Sequence, residues 1–398
     1  MTRPALQRPR VGLIGVSGYA RIYLQLVRES HDRGELDLVA AVVINPGEEP
    51  EAVSDLRRRG AEIYGSYEEM LRRHDGRLDL CLVPTGIPWH ARMTIAALKI
   101  GANVLVEKPL AGSMEDVAAI RAAEKAAGRF VAVGFQDVYS PAAARVKARL
   151  VEGAIGRLRS IRFVGLWPRG TEYFERNQWA GRLAADGAPV LDSPLNNAFA
   201  HFVNLCLFFA GPKPWQSARA RIESAELYRA HAIESFDTAV VRAISVEGVR
   251  FWFGVSHSCG RVREPEIVIE GSAGRAEWWH EQRCLITPAS GAGEERKLPD
   301  TSETRRAMFD AVLARVADPA APICDTAMAE CHTALIEEVH RSAAIQSVNA
   351  SLIDWRVPPG APAPVPVVRG LEEALDRAFG LRSTLGATGF GVEAGLAR

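Results

Sequence analysis

The chain has 398 residues, more than one compact core accommodates, so two domains and a tail are expected. Its 48 basic and 48 acidic side chains cancel, which leaves no net field to draw in nucleic acid or an anionic membrane. Six cysteines at 81, 206, 259, 284, 324 and 331 show neither a C-x-x-C pair nor metal-ligand spacing, and no run approaches the roughly 20 apolar residues that span a bilayer.

The start, "MTRPALQRPR", is polar and basic, so a secretory leader is not expected. A cytoplasmic protein with reduced thiols, no metal, no membrane partner, no nucleic acid and a small-molecule ligand is therefore expected. The first apolar run, "VGLIGVSGYA", stops at a cluster of small residues. In the dinucleotide register G-x-G-x-x-G/A it offers Gly15, Ser17 and Ala20, with serine at the middle glycine and Gly18 and Tyr19 alongside. Taken alone the stretch fits both a phosphate turn and an ordinary strand end.

Short β-branched runs then alternate with segments of helical period. "RVGLIGV" precedes "YARIYLQLVRES", "LDLVAAVVI" a charged helical stretch to Arg59, and "AEIY" precedes "SYEEMLRRHD". "LDLCLVP" leads to "PWHARMTIAALKIG", "NVLVEKP" to "SMEDVAAIRAAEKAAG", and "RFVAVGF" to "SPAAARVKARLVEG". Six strands each followed by a helix predict a doubly wound parallel sheet. Ser66, and Ser113 with Asp116, read as helix starts, and Gly101 and Gly128 as stops.

After about residue 155 the strands "LRSIRFVGLW", "TAVVRAISVE", "VRFWFGVSH", "EIVIEGSAG" and "AEWWHE" follow one another, interrupted by the helical blocks "NNAFAHFVNLCLFFAG" and "DTAMAECHTALIEEVHRSAAIQ". This describes a mostly antiparallel sheet. The strip "VPPGAPAPVPVV" predicts extended chain. The expected organisation is a Rossmann α/β domain over 1–138, an α+β domain with a large open sheet over 139–356, and a proline-rich extended segment and tail over 357–398.

An acidic ribose reader is missing at the end of the second strand, where "VAAVVINPGEE" places Asn45; its amide can bond a ribose without repelling a 2′-phosphate. Arg57, Arg58 and Arg59 fit a solvated helix face or a contact to that phosphate. NAD and NADP both remain open as the cofactor.

The stretch from His90 to "GANVLVEKPLAGS" resembles the signature of the Gfo/Idh/MocA oxidoreductases, and "RFVAVGFQ", "LVEGAIGRLRSIRF", "IEGSAGRAEW" and "AECHTALIEEVHRSA" resemble the same family. The resemblance implies an N-terminal Rossmann domain, a second domain with a large open sheet, and a homodimer or homotetramer built through that sheet. It adds Pro84, Thr85, His90, Glu107, Lys108 and Gln136 to Gly15, Ser17, Gly18, Tyr19, Ala20 and Asn45 as cofactor-holding candidates.

Lys108 also stands out by composition. Only six of the 48 basic residues are lysine, and an amine, unlike a guanidinium, can lose its proton near neutrality. Oxidising an alcohol needs such a base beside the departing hydride.

In the family the lysine is joined by an aspartate and a histidine spaced D-x-x-x-H. The corresponding "VLDSPLNNAFAHFVN" departs from it: counting from Asp192, Asn196 takes the histidine place, and counting back from the helix end, His201 does. His201 is the favoured proton carrier, with Asp192 orienting and Asn197 a hydroxyl ligand; the alternative for His201 is helix packing. In "WPRGTEYFERNQWAGR", Tyr173, Trp179 and Arg182 offer aromatic faces and polar donors to a polyhydroxylated ring. The expected activity is an NAD(P)-dependent dehydrogenase acting on a sugar, cyclitol or related polyol. The alternatives are a cofactor-sensing protein without turnover and a glycosidase working by transient oxidation.

Overall fold

The computed structural model describes residues 8–357 and 363–391, which divide into two units: Met1–Tyr139 with Glu303–Ala329, and Ser140–Ser302 with Glu330–Arg398. The first unit is laid out as β1 (Arg10–Ile14), α1 (Ala20–Asp32), β2 (Asp37–Val42), α2 (Pro50–Arg58), β3 (Glu62–Tyr64), α3 (Tyr67–Arg73), β4 (Leu80–Val83), α4 (Ile87–Lys99), β5 (Asn103–Val106), α5 (Met114–Ala127) and β6 (Val131–Val133). All pairings are parallel, in the order β3-β2-β1-β4-β5-β6. β4 and β5 are almost wholly buried, as strands covered by helices on both faces must be. The helix boundaries follow local chemistry: Ser66 Oγ accepts from Glu69 N at 3.2 Å, Ser113 Oγ accepts from Asp116 N at 3.1 Å, and Gly128 ends α5 in the left-handed region.

The second unit opens with α6 (Pro141–Val151) and β7 (Leu158–Leu166), then α7 (Thr171–Glu175), the small ribbon β8 (Ala184–Ala185) and β9 (Ala188–Pro189), and α8 (Ala200–Ala210). β10 (Ala220–Arg229), β11 (Thr238–Ser245), β12 (Arg250–Ser256), β13 (Arg263–Gly271), β14 (Gly274–Trp279), β15 (Arg283–Pro288) and β16 (Glu294–Lys297) complete the run. The chain then supplies α9 (Thr301–Ala317) and the start of α10 (Thr326–Ser342) to the first unit, and the rest of α10, β17 (Ile345–Ser347), β18 (Ile353–Arg356), β19 (Val365–Val368) and α11 (Leu371–Leu381) to the second. Nine strands form one sheet in the order β16-β15-β14-β13-β7-β12-β11-β10-β17. It is antiparallel except for β7 with β12 and β10 with β17.

Alternation places Ile161, Phe163, Phe251 and Phe253 on one face of this sheet, where Phe163 stacks on Phe202 of α8 at 5.7 Å. Val164, Leu166, Val240, Trp252 and Tyr228 form the other face, and they pack against Leu371, Ala374, Leu375, Ala378, Leu385 and Phe390. This corrects the expectation of an extended tail. Residues 358–362 lie outside those described, but β19 is a buried strand paired with β18 and the chain then folds into α11. An apolar stripe at 371, 374, 375 and 378 had the helical period, and that period decides the structure beyond the prolines.

No helix of the described residues is long and apolar enough to cross a membrane. Among them no group of His, Cys, Asp and Glu could hold a metal, and all six cysteines are buried and unbridged.

Candidate functional site

In a doubly wound sheet the strand ends at the order reversal open a crevice, here between β1 and β4. The residues following β1, β4, β5 and β6 supply most of the candidates of the first unit. Gly15 adopts φ +96° and its N–H donates to Val42 O at 3.1 Å. A side chain would be strained there. Ala20 is buried with its Cβ 3.7 Å from where a Cβ on Gly15 would sit, so a larger residue would press on the turn. Ser17 and Gly18 are exposed. α1 starts without a side-chain cap and without an acidic residue in its first turn, so no carboxylate competes for the positive end of the helix.

The Thr85 hydroxyl, at the mouth of β4, is buried and has no hydrogen-bond partner among the described residues, which suits it to bond a ligand hydroxyl or phosphate oxygen. Asn45 is exposed beyond β2. Arg58 and Arg59 are engaged by Asp55, and Arg59 also by Asp32, while Arg57 is exposed. Backbone donors at an uncapped helix start, two hydroxyls and an uncharged amide suit a dinucleotide.

Lys108 is partly exposed on a turn that the protein holds from beneath. Glu107 is 4% exposed. Its carboxylate accepts from the Tyr23 hydroxyl at 2.6 Å and from Lys108 N at 3.0 Å. Burial pushes the Glu107 carboxyl above its ordinary range, opposed by the Lys108 charge. The Lys108–Pro109 peptide is cis. His90 is fully buried, with Nδ1 2.7 Å from Pro109 O and Nε2 3.0 Å from Thr85 O, and burial lowers its pKa. Its side chain thus ties the turn after β4 to the turn carrying Lys108. Pro84 is buried at the end of β4. Gln136 is buried and its Oε1 accepts from Arg305 Nε at 3.3 Å; the same guanidinium lies 5.6 Å from the ring centroid of Tyr19. Arg305, on α9, was not among the sequence candidates, because nothing in its local pattern links it to β6.

In the second unit Asp192 is 2% exposed. Its Oδ2 accepts from Gly181 N at 2.6 Å and its Oδ1 from Asn197 Nδ2 at 2.9 Å. Asn196 is also buried, and its Nδ2 donates to Val190 O at 3.0 Å and Leu191 O at 3.2 Å. Asn197 and His201 are partly exposed instead. The helical block expected from Asn196 begins only at Ala200. Asn197 sits in the preceding turn, its N–H bonded to Ser193 O, so Asn197 and His201 do not share a regular helix face.

Arg176 lies 3.7 Å from the Tyr173 ring centroid and 5.6 Å from that of Trp179. The three side chains form one aromatic and cationic cluster. Arg182 is exposed and pairs with Glu234 at 3.6 Å. Beneath them Trp167 stacks on Phe199 at 4.6 Å and His257 on Phe199 at 5.5 Å, which makes His257 part of the packing.

Residues 9–135 match the family model described as oxidoreductase family, NAD-binding Rossmann fold (GFO_IDH_MocA). Among curated relatives, a dTDP-3,4-didehydro-2,6-dideoxy-alpha-D-glucose 3-reductase of Streptomyces violaceoruber is 31% identical over 157 residues, 37% of this chain and 42% of that protein. An inositol 2-dehydrogenase of Azotobacter vinelandii is 32% identical over 147 residues, again 37% and 42%. The chain thus spans about two fifths of the length of these relatives. Among solved structures, a levoglucosan dehydrogenase in complex with NADH superposes with a TM-score of 0.71 at 19% identity, covering 85% of this chain and 97% of that one. The WlbA dehydrogenase of Bordetella pertussis, in complex with NADH and UDP-GlcNAcA, gives 0.69 at 22% identity, covering 85% and 96%. At such identities the two structures show the shared fold. Over residues 9–135 the first unit is thus similar to the NAD-binding Rossmann fold of that oxidoreductase family.

Proposed function

We propose that the chain is an NAD(P)-dependent oxidoreductase that moves a hydride between the nicotinamide and a carbon bearing oxygen on a sugar, cyclitol or related polyhydroxy compound. The observation that carries this reading is the support under Lys108. Glu107 and His90, both buried, fix the turn on either side of the amine, so its position at the end of β5 does not depend on a flexible loop. The bound cofactor supplies hydride transfer at its ring. Gly15, Ser17, Gly18, Tyr19 and Ala20 would hold the pyrophosphate, Thr85 and Asn45 ribose hydroxyls, and Gln136 the nicotinamide half.

Lys108 would exchange a proton with the substrate oxygen, with Glu107 buried next to it in sequence and Tyr23 keeping that carboxylate from turning away. His201 would be the second proton carrier, Asp192 would fix Asn197 through their hydrogen bond, and Asn197 would contact a substrate hydroxyl. Tyr173, Trp179 and Arg182 would present ring faces and a cation to the sugar. The relatives named above, a sugar-nucleotide reductase and an inositol dehydrogenase, support this substrate class.

The test is a panel of inositols, aldoses, sugar nucleotides and polyols with NAD and NADP, followed at the reduced nicotinamide band, in the wild type and in Lys108→Met. Turnover on at least one polyol is expected. A loss of about 10²–10⁴-fold in kcat is expected of the variant, as for removal of a general acid or base, with cofactor affinity within about threefold. Cofactor binding with no turnover across the panel would favour a sensing protein instead.

A further inference from the structure

The face of the nine-stranded sheet that carries α11 is not wholly covered by that helix. Beside Leu381 and Arg382, at the helix end, lies a cavity of about 830 Å³ within the second unit. Its cations are Arg159, Arg162, Arg242, Arg250 and Arg382, and its carboxylates are Glu223 and Glu270. Strand register brings three of the guanidinium groups together. Trp252 of β12 is the cross-strand partner of both Arg162 on β7 and Arg242 on β11, and Arg250, two residues before Trp252, shares their face in the next row. Neighbouring strands lie about 4.8 Å apart, so these three side chains leave the sheet within about 10 Å of one another.

The negative charge at hand does not match them. Glu270 is shared, pairing with Arg162 at 3.2 Å and Arg382 at 2.6 Å, and it also accepts from Ser160 Oγ at 2.9 Å. Among the described residues none of Arg159, Arg242, Arg250 and Glu223 forms an ion pair. Other charges on this face are already engaged: Glu266 pairs with Arg263 at 2.6 Å, Arg275 with Glu277 at 3.1 Å, and Glu226 accepts from the N–H groups of Leu385 and Gly386. Two buried polar atoms of the Trp252 row also lack hydrogen-bond partners among the described residues. They are Arg162 Nε and the hydroxyl of Ser224, which lies opposite Arg242 on β10.

We propose that this cavity binds a small polyanion carrying two or more linked phosphoryl groups. Guanidinium forks take phosphate oxygens in pairs, and a chain of phosphoryl groups matches the spread of Arg162, Arg242 and Arg250. The carbonyl end of α11 opposes an anion, but Arg162 Nη1 donates to Phe379 O at 3.0 Å and offsets it. A second copy of this face is the poorer occupant, because a two-fold contact centred on the cavity sets arginines against arginines. The site lies across the sheet from α8, so it is separate from His201 and does not depend on the oxidoreductase reading.

The experiment is calorimetric titration of the full chain with inorganic triphosphate, monophosphate and citrate. It is run on the wild type, Arg242→Gln, Arg250→Gln and Arg283→Gln, the last an arginine paired with Glu295 outside the cavity. The wild type is expected to bind triphosphate at least about tenfold more tightly than monophosphate or citrate. Arg242→Gln and Arg250→Gln should each weaken triphosphate about tenfold, and Arg283→Gln should leave it within about twofold. Triphosphate binding that neither cavity variant weakens lies elsewhere, the glycine turn included, and overturns the inference. So does a wild type that binds no triphosphate, or that binds citrate more tightly. Sedimentation of the same samples gives the last arm: a wild-type dimer that Arg242→Gln dissociates and triphosphate leaves intact means that a second copy covers the arginines, which also overturns it.

Discussion

Lys147 shows what a lysine does in a chain that otherwise carries its positive charge as arginine. It is 1% exposed on α6, and its ammonium donates to Phe208 O and Gly211 O at 2.5 Å and to Gln216 O at 3.2 Å. These are carbonyls at and beyond the end of α8, where a helix runs short of donors; only Phe208 O also accepts from a backbone N–H, that of Gly211. Burial pulls the pKa of the amine down to about 7, yet each of its three protons has an oxygen to serve. Lys147→Met keeps the stem and strands the oxygens, so we expect a loss of about 2–4 kcal/mol in urea unfolding at unchanged m value. A change under about 0.5 kcal/mol would show that water serves those carbonyls equally well. The scarcity of lysine drew attention to Lys108, and the same reasoning applied to Lys147 with a clearer local signal, since Ala143, Val146, Lys147 and Leu150 fall on one buried stripe. Asn196 and His201 could not be separated by counting, because the choice depends on which amide the turn before α8 consumes. Arg305 was illegible for a related reason: its partners Tyr19 and Gln136 are distant in sequence.

Among the elements, α11 is the one whose contribution the sequence understates. Glu372 of α11 accepts from Gly260 N at 2.6 Å, and Arg263 pairs with Asp376 at 2.7 Å, so charged contacts fix the register in which its apolar stripe meets the sheet. Trp252 completes the seat. Its Nε1 donates to Ser383 O at 2.8 Å, and its ring lies along the strand over Gly254, where an added Cβ would come within 2.2 Å of the indole. Leu375 is fully buried at the centre of this cluster. Leu375→Ala is expected to cost about 2–4 kcal/mol. It should also raise the sedimentation coefficient distribution toward larger species, because Val164, Leu166 and Val240 would be uncovered as a contiguous apolar patch. A variant of wild-type stability that sediments as the parent does would show that α11 merely rests on the sheet. The six parallel strands were legible because each carries its own apolar run, and α3 and α5 announce themselves by their serine caps. The order of the nine-stranded sheet was not, since β7 lies between β12 and β13, pairings across roughly a hundred residues that no local period encodes.

At the scale of the whole molecule the balance of 48 basic and 48 acidic groups has a structural counterpart, since many of the arginines sit in surface ion pairs that are individually worth little. The pH dependence of stability is therefore set by the few titratable groups that folding removes from water, and in the second unit His257 is the leading one. It is 1% exposed, its Nδ1 is 2.8 Å from Trp167 O, and burial, reinforced by the Arg169 charge, lowers its pKa from 6.5 to about 3. His340 is also held neutral by burial. For a base whose folded pKa is depressed, the unfolded chain takes up a proton that the folded one refuses. Stability is thus fully present above the unfolded value near 6.5 and falls as pH drops from there toward 3, at up to about 1.4 kcal/mol per pH unit for one such group. Urea unfolding at pH 7, 6, 5 and 4 measures this directly. His257→Gln keeps a donor for the Trp167 carbonyl and removes the titration, so it is expected to lower stability at pH 7 yet flatten the decline between pH 6 and 4 by up to that slope. Parallel declines in the two proteins would mean that the ring is protonated inside the fold and that the acid sensitivity of this unit arises elsewhere.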